Sequence, residues 1–262
     1  MAGRCRGTST ASGEQQIVFA HSFRQKREGF PLSGDPFLLY PVSVVYQWGR
    51  KDAFPGAAGS TITATTIEEN NAQTILIYDA TGNKLTEGTT GVKSVDINTS
   101  GVLNGNTSQV YTIKNPLSFV YNLIGPWDWY TNTDAHNDAL WGDNAKKSAY
   151  DPCPNDWHMP SRGTWNDLSS TAFPYYIGGE QISSGDITTT NGRLYNVMAW
   201  FPATGHRYRV SGALTNVGSI GCYWSSSVSG TNAIRLRFNM SVVNLNSPYY
   251  RAYGYPVRCV QE

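Results

Sequence analysis

The chain has 262 residues and a formal net charge of +1. That near-neutral balance excludes a broadly basic nucleic-acid or membrane-surface binder, and the length is enough to bury a sizeable core without disulfides. Charged residues make up only 15% while Gly, Ser, Thr, Asn and Tyr are plentiful, the profile of a loop-rich β protein and not of a helical enzyme.

Residues 1–45 are polar, broken by Gly and Pro, and predict a poorly patterned N-terminal extension. The opening MAGRCRGTSTASGEQQIVFAHSF holds no apolar stretch of signal-peptide length. It therefore points to a protein carried in a virion, or to a bacterial surface protein whose leader has been removed. No run of about 18 apolar residues occurs, so no membrane insertion is expected. An apolar run at 42–48 leads into YQWGRKDAFPG, a strand followed by a turn-rich loop. In QTILIYDATGNKLTEG, Ile75 and Ile77 alternate with Leu76 and Tyr78, and Thr81-Gly82-Asn83 supplies turn chemistry, which predicts a β-hairpin. Further short strands are expected at 92–97 and 110–113. A helix is expected over 115–123, with Pro116 in its first turn where the missing N–H costs nothing. MPSRGTWNDL predicts a second helix, with Ser161 as N-cap and Trp165 and Leu168 on one face.

Near the C-terminus the alternation is clean. Ile234, Leu236 and Phe238 fall on one side of a strand, which predicts burial, and Arg235, Arg237 and Asn239 on the other, which predicts exposure. The polar loop that follows has no apolar periodicity to draw it inward. From 187 to 261 there is no Asp or Glu. These features predict one contiguous exposed binding face made of Arg235, Arg237, Asn239, Asn244, Asn246, Ser247, Tyr249, Tyr250, Arg251 and Tyr253, with Tyr223 nearby. Tyrosine offers contact area at low entropy cost, and arginines without an acid to pair with are available to a partner.

Other chemistry is sparse. Cys5, Cys153, Cys222 and Cys259 show no Cys-x-x-Cys spacing, so no zinc site is expected. They allow one bridge, with Cys153 and Cys259 the first pair to consider, or else buried free thiols. Asn132, Asp134, His136, Asp138 and Asp143 have a spacing loosely like a calcium loop but lack its turn glycine, and read as a solvated loop. Trp165-Asn166-Asp167 reads as helix surface. His21, His136, His158 and His206 stand singly, and no nucleophile elbow, phosphate loop or zinc-protease motif occurs. No metal, cofactor or enzymatic activity is expected.

Four segments lie in a telling order: YQWGRKDAFPG (46–56), YDPCPNDWHMPSRGTWNDL (150–168), GCYWSSS (221–227) and YPVRCV (255–260). Together they resemble a family of C-type lectin-like domains found in surface and phage proteins of gut bacteria. The resemblance spans roughly 46–262. It implies an α+β, C-type lectin-like fold of the formylglycine-generating-enzyme-like subtype, a twisted antiparallel sheet with few helices and long loops. In such a fold the last strand returns to an early one, bringing Cys259 near Cys153, and Trp157, Trp165 and Trp224 act as core anchors.

The tail, at about 221–258, also resembles the variable region of targets of diversity-generating retroelements, whose AAC-type codons are rewritten at adenine. Such rewriting cannot yield Lys, Glu, Gln, Trp or Met. Residues 225–255 contain none of the first four, and Met240 would be a fixed position. This resemblance implies a non-enzymatic protein that displays a diversified ligand-binding surface, as on a phage tail. Its partner would be a protein or glycan receptor on a cell surface, with homo-oligomerisation left open. The alternatives are an undiversified cell-surface or fimbrial-tip adhesin and, more distantly, an oxidase of the formylglycine-generating type. The oxidase needs reactive cysteines, and Cys222 and Cys259 lie in strand-like contexts with no basic partner tuned to make a thiolate.

Overall fold

The computed structural model describes residues 44–57, 74–142, 147–177, 180–182, 192–196 and 199–261, together with the backbone of 18–19. Apart from 18–19 and 44–45, the extension 1–45, with His21, lies outside the described residues, as does Asp143. Among the described residues strand accounts for 37% and helix for 5%. The expected α+β, C-type lectin-like architecture with one twisted antiparallel sheet is therefore corrected. The described strands form six small sheets, one of them a parallel pair of Lys93–Asp96 with Ser118–Tyr121.

Both helix expectations shrink for local reasons. Asn115 precedes Pro116, whose ring disfavours helical backbone at the preceding residue. The one described α-helix, Gln109–Lys114, accordingly ends there, and Asn115 sits at φ −131°, ψ 69°. The helix thus falls on 110–113, where a strand was expected, and the strand Ser118–Tyr121 falls where a helix was expected. At 161 the helix closes after a single 3-10 turn, Arg162–Trp165. Ser161 makes no capping bond, and the Arg162 N–H instead donates to Ser227 Oγ at 3.1 Å. Trp165 and Leu168 still point inward, and Asn166 and Asp167 are exposed as expected. The hairpin forms as read, with Ile77 opposite Leu85 and Tyr78 opposite Lys84.

Two sheets matter for the site. One is a three-stranded antiparallel ribbon of Gly221–Ser229, Asn232–Phe238 and Val243–Tyr249. The other has five strands in the order Leu214–Thr215, His206–Arg207, Gly254–Tyr255, Val44–Gln47 and Phe54–Pro55. The ribbon divides two hydrophobic cores. Tyr223, Leu236 and Phe238 join Trp165, Phe173, Tyr175 and Phe201 on one face. Cys222, Trp224 and Ala233 join Trp48, Trp129, Trp141 and Tyr255 on the other. The cores are indole-rich but satisfied: the Nε1 groups of Trp48, Trp129 and Trp224 donate to the carbonyls of Ser225, Trp48 and Tyr46. Of the expected tryptophan anchors, Trp165 and Trp224 are buried, whereas Trp157 is 40% exposed. Its strand, Trp157–His158, lies at the rim and pairs only with Val260–Gln261.

That terminal pairing is closed by a disulfide between Cys153 and Cys259, whose Cα atoms lie 5.7 Å apart. Cys222 remains a free buried thiol. Among the described residues no helix is long and apolar enough to cross a membrane.

Candidate ligand-binding cleft

The expected alternation holds on one side only. Ile234, Leu236 and Phe238 are buried. On the other side Arg235 is also buried, and Arg237 and Asn239 are half-buried. The reason is tertiary. The odd-numbered face is partly roofed by Tyr249 at the end of the ribbon and by Tyr253 and Tyr255 from the chain after it. Cross-strand pairing puts Arg235 opposite Trp224 and Ser247, and Arg237 opposite Cys222 and Asn244.

Where the odd-numbered face of the ribbon and these tyrosines meet the five-stranded sheet at His206 and Thr215 lies a half-open cleft of about 410 Å³. Arg235, Arg237, Tyr249 and Tyr253 line it together with His206, Tyr208, Asn216 and Tyr255. The predicted contiguous exposed face is therefore corrected to a concave site in which the tail supplies one wall.

Arg235 is the centre of the arrangement. Its guanidinium carbon lies 3.7 Å from the centroid of the Tyr249 ring and 4.7 Å from that of Tyr255, a cation held between two π faces. Nε donates to Ser247 Oγ at 3.4 Å, and Nη1 donates to Cys222 Sγ at 3.3 Å and to the Tyr255 hydroxyl. Among the described residues no carboxylate lies within ion-pair distance of Arg235 or Arg237. The Arg237 guanidinium makes no hydrogen bond to the described protein. Burial pushes the Cys222 thiol up despite the two arginines, so it stays protonated and serves as a soft acceptor under Arg235.

His206 enters through a tight turn. Gly205 has φ +65°, and the Thr215 carbonyl occupies the space where a Cβ would sit. The imidazole lies edge-on to Tyr253 and Tyr255, with centroids 5.2 and 5.4 Å away, and shares a 2.9 Å hydrogen bond between Nε2 and Thr215 Oγ1. Its Nδ1 is buried without a partner among the described residues. Burial, and then the Arg235 charge, lower its pKa to about 3, so the ring is neutral at physiological pH. Between pH 6.5 and 3 the unfolded chain carries a proton at this position that the folded chain refuses. Stability therefore falls as pH drops through that window. Replacing His206 by Gln should flatten the fall by up to about 1.4 kcal/mol per pH unit, measured by urea denaturation across the window. An unchanged slope would show that the ring is not held neutral.

A second arginine cluster adjoins the cleft. Arg209 lies 4.8 Å from the Trp127 centroid and 5.2 Å from that of Tyr250, and its Nε and Nη1 are buried without hydrogen-bond partners. Tyr208 and Tyr253, with centroids 5.6 Å apart, connect it to the cleft.

The remaining predicted residues scatter. Tyr223 is in the core, its hydroxyl donating to the Pro202 carbonyl at 2.9 Å. Arg251 is also in the core, over Trp48 at 4.6 Å and paired with Asp138 at 2.5 Å. Ser247 is buried beneath Arg235. Asn239 folds the hairpin turn, its Oδ1 accepting from the N–H groups of Ser241 and Val242. Asn244 and Asn246 are exposed on the outer strand. Tyr250 touches Tyr249, with centroids 5.2 Å apart. His206, Tyr208, Asn216 and Tyr255 were missed. The Arg/Tyr-rich, acid-free run HRYR at 206–209 is the signal that could have pointed to the first two, since the acid-free stretch begins before it.

The loosely calcium-like loop is taken up by structure. His136 Nδ1 contacts Asp128 Oδ2 at 2.7 Å, and Asp138 holds Arg251. Among the described residues no group of three or more His, Cys, Asp or Glu side chains is placed to hold a metal. No family model, no curated protein and no solved structure matches the chain.

Proposed function

We propose that the chain is a non-enzymatic binding protein whose tail displays a surface diversified in the manner of diversity-generating retroelement targets, directed at a protein or glycan receptor on a cell surface. One observation carries the reading. The segment 225–255, free of Lys, Glu, Gln and Trp, is the same segment that contributes Arg235, Arg237, Tyr249, Tyr253 and Tyr255 to the cleft. Tyrosine, arginine, asparagine and serine are the residues on which adaptable binding surfaces rely. The apolar positions of the same segment, Ile234, Leu236 and Phe238, hold the ribbon to its core. Substitution at half-buried Arg237 or exposed Asn244 and Asn246 leaves those anchors in place.

The test lies in the neighbouring DNA. The expected finding is a near-copy of the codons for about 221–258 beside a reverse-transcriptase gene, differing from this gene only at adenines of the copy. A copy that differs at other bases, or a locus with neither, would remove the diversification and leave the undiversified adhesin.

A further inference from the structure

We infer that the cleft takes the carboxylate of an acidic sugar, held by Arg235 and Arg237 against walls of tyrosine. This rests on reading the cleft as the ligand site. The first argument is charge. Arg235 is only 5% exposed, yet among the described residues it has no carboxylate partner, and neither has Arg237 beside it. Buried charges are ordinarily paired. The protein's other deeply buried arginines follow that rule: Arg50 pairs with Asp52, Arg207 with Glu87 and Arg251 with Asp138. Arg193 has no acid either, but it spends its donors on the carbonyls of Phe173, Asn239 and Met240. Among the described residues the hydrogen bonds of Arg235 use Nε and Nη1 only, leaving Nη2 without an acceptor there. An oxyanion from outside supplies the missing partner, and a guanidinium fork suits a carboxylate.

The second argument is shape and lining. The volume of about 410 Å³ is in the small-molecule range and holds more than one acidic side chain fills. The lining offers neutral hydrogen-bonding groups beyond the arginines: the hydroxyls of Tyr208, Tyr253 and Thr215, the Asn216 carboxamide, and His206, whose buried Nδ1 is unpartnered. An aspartate or glutamate side chain could use only the arginines. A sugar ring carrying a carboxylate uses both, with its C–H face against tyrosine.

The experiment is a thermal-shift and calorimetric titration of the full chain with sodium glucuronate, glucose and glutarate at matched ionic strength and neutral pH. Glucuronate should give a saturable rise in Tm, with glucose and glutarate each at least about tenfold weaker. Arg237→Gln, at a half-exposed position whose guanidinium has no hydrogen-bond or ion-pair partner among the described residues, should keep the ligand-free Tm and weaken glucuronate about tenfold or more, as for a lost charge-assisted hydrogen bond. Arg235→Lys probes the buried position, and if it fails to fold the other arms still decide. Glucose equal to glucuronate, or full glucuronate binding by Arg237→Gln, overturns the anion site. Glutarate equal to glucuronate overturns the sugar. None of these results depends on whether an adenine-specific copy exists in the DNA, so the ligand class and the diversification can fail separately.

Discussion

Phe238→Ala should cost about 3–5 kcal/mol of folding stability, the range for truncating a buried aromatic side chain. Phe238 has no solvent exposure. Its ring meets Phe173 edge-on at 5.3 Å and lies 6.2 Å from Tyr223 in a stacked orientation. Across the strand pair it faces Gly221, where an added Cβ would run into the Phe238 ring. The space is thus shaped on both sides around this one side chain, and little can collapse into the gap. Arg237→Ala, one residue away, should cost about 0.5 kcal/mol or less, because its guanidinium makes no described hydrogen bond or ion pair. Urea denaturation with unchanged m-values would read both. Equal losses would mean that Phe238 and Arg237 do not face opposite sides of the strand.

Breaking the Cys153–Cys259 link should cost about 2–5 kcal/mol. The bridge joins positions 106 residues apart, so in the unfolded chain it closes a long loop and removes many conformations. In the folded chain it fastens the terminal Val260–Gln261 strand to Trp157–His158, a pair otherwise held by two residues of register. Cys153 is buried in the tryptophan-rich core, and a serine there adds a polar group to that environment. Cys259→Ser therefore isolates the loop effect better than Cys153→Ser. Chemical denaturation of oxidised protein and of Cys259→Ser gives the difference directly. Equal midpoints would mean that the crosslink does not constrain the unfolded chain.

The tail tyrosines show how far local pattern can mislead. In sequence, 249–253 reads as a polar loop with replaceable aromatic groups. In the fold, Tyr253 is 5% exposed, stacks on Tyr255 at 5.4 Å and touches Tyr208 and Tyr249. Its truncation would disturb the core as well as the cleft, so half-exposed Arg237 is the cleaner probe of binding.

What the sequence determined by itself was local and periodic. The inward set Ile234, Leu236 and Phe238, the hairpin around Thr81-Gly82-Asn83, the loop-rich β character and the acid-free tail follow from residue type, spacing and turn chemistry. Proline at 116 also fixed a helix boundary, though its effect fell on the helix before it. What only the tertiary structure decided was what covers the odd-numbered face of the ribbon. An alternating strand states that two faces differ. It does not state whether the polar face meets water or a second layer, and in this protein Tyr249 from the ribbon's end and Tyr255 from beyond it close over Arg235. The five-stranded sheet joins strands from 44–47, 206–207 and 254–255, and contacts at that separation leave no periodic trace. For the same reason the HRYR run could mark His206 and Tyr208 as candidates but not tie them to Arg235: they are brought to it by strand pairing across the chain, not by spacing along it.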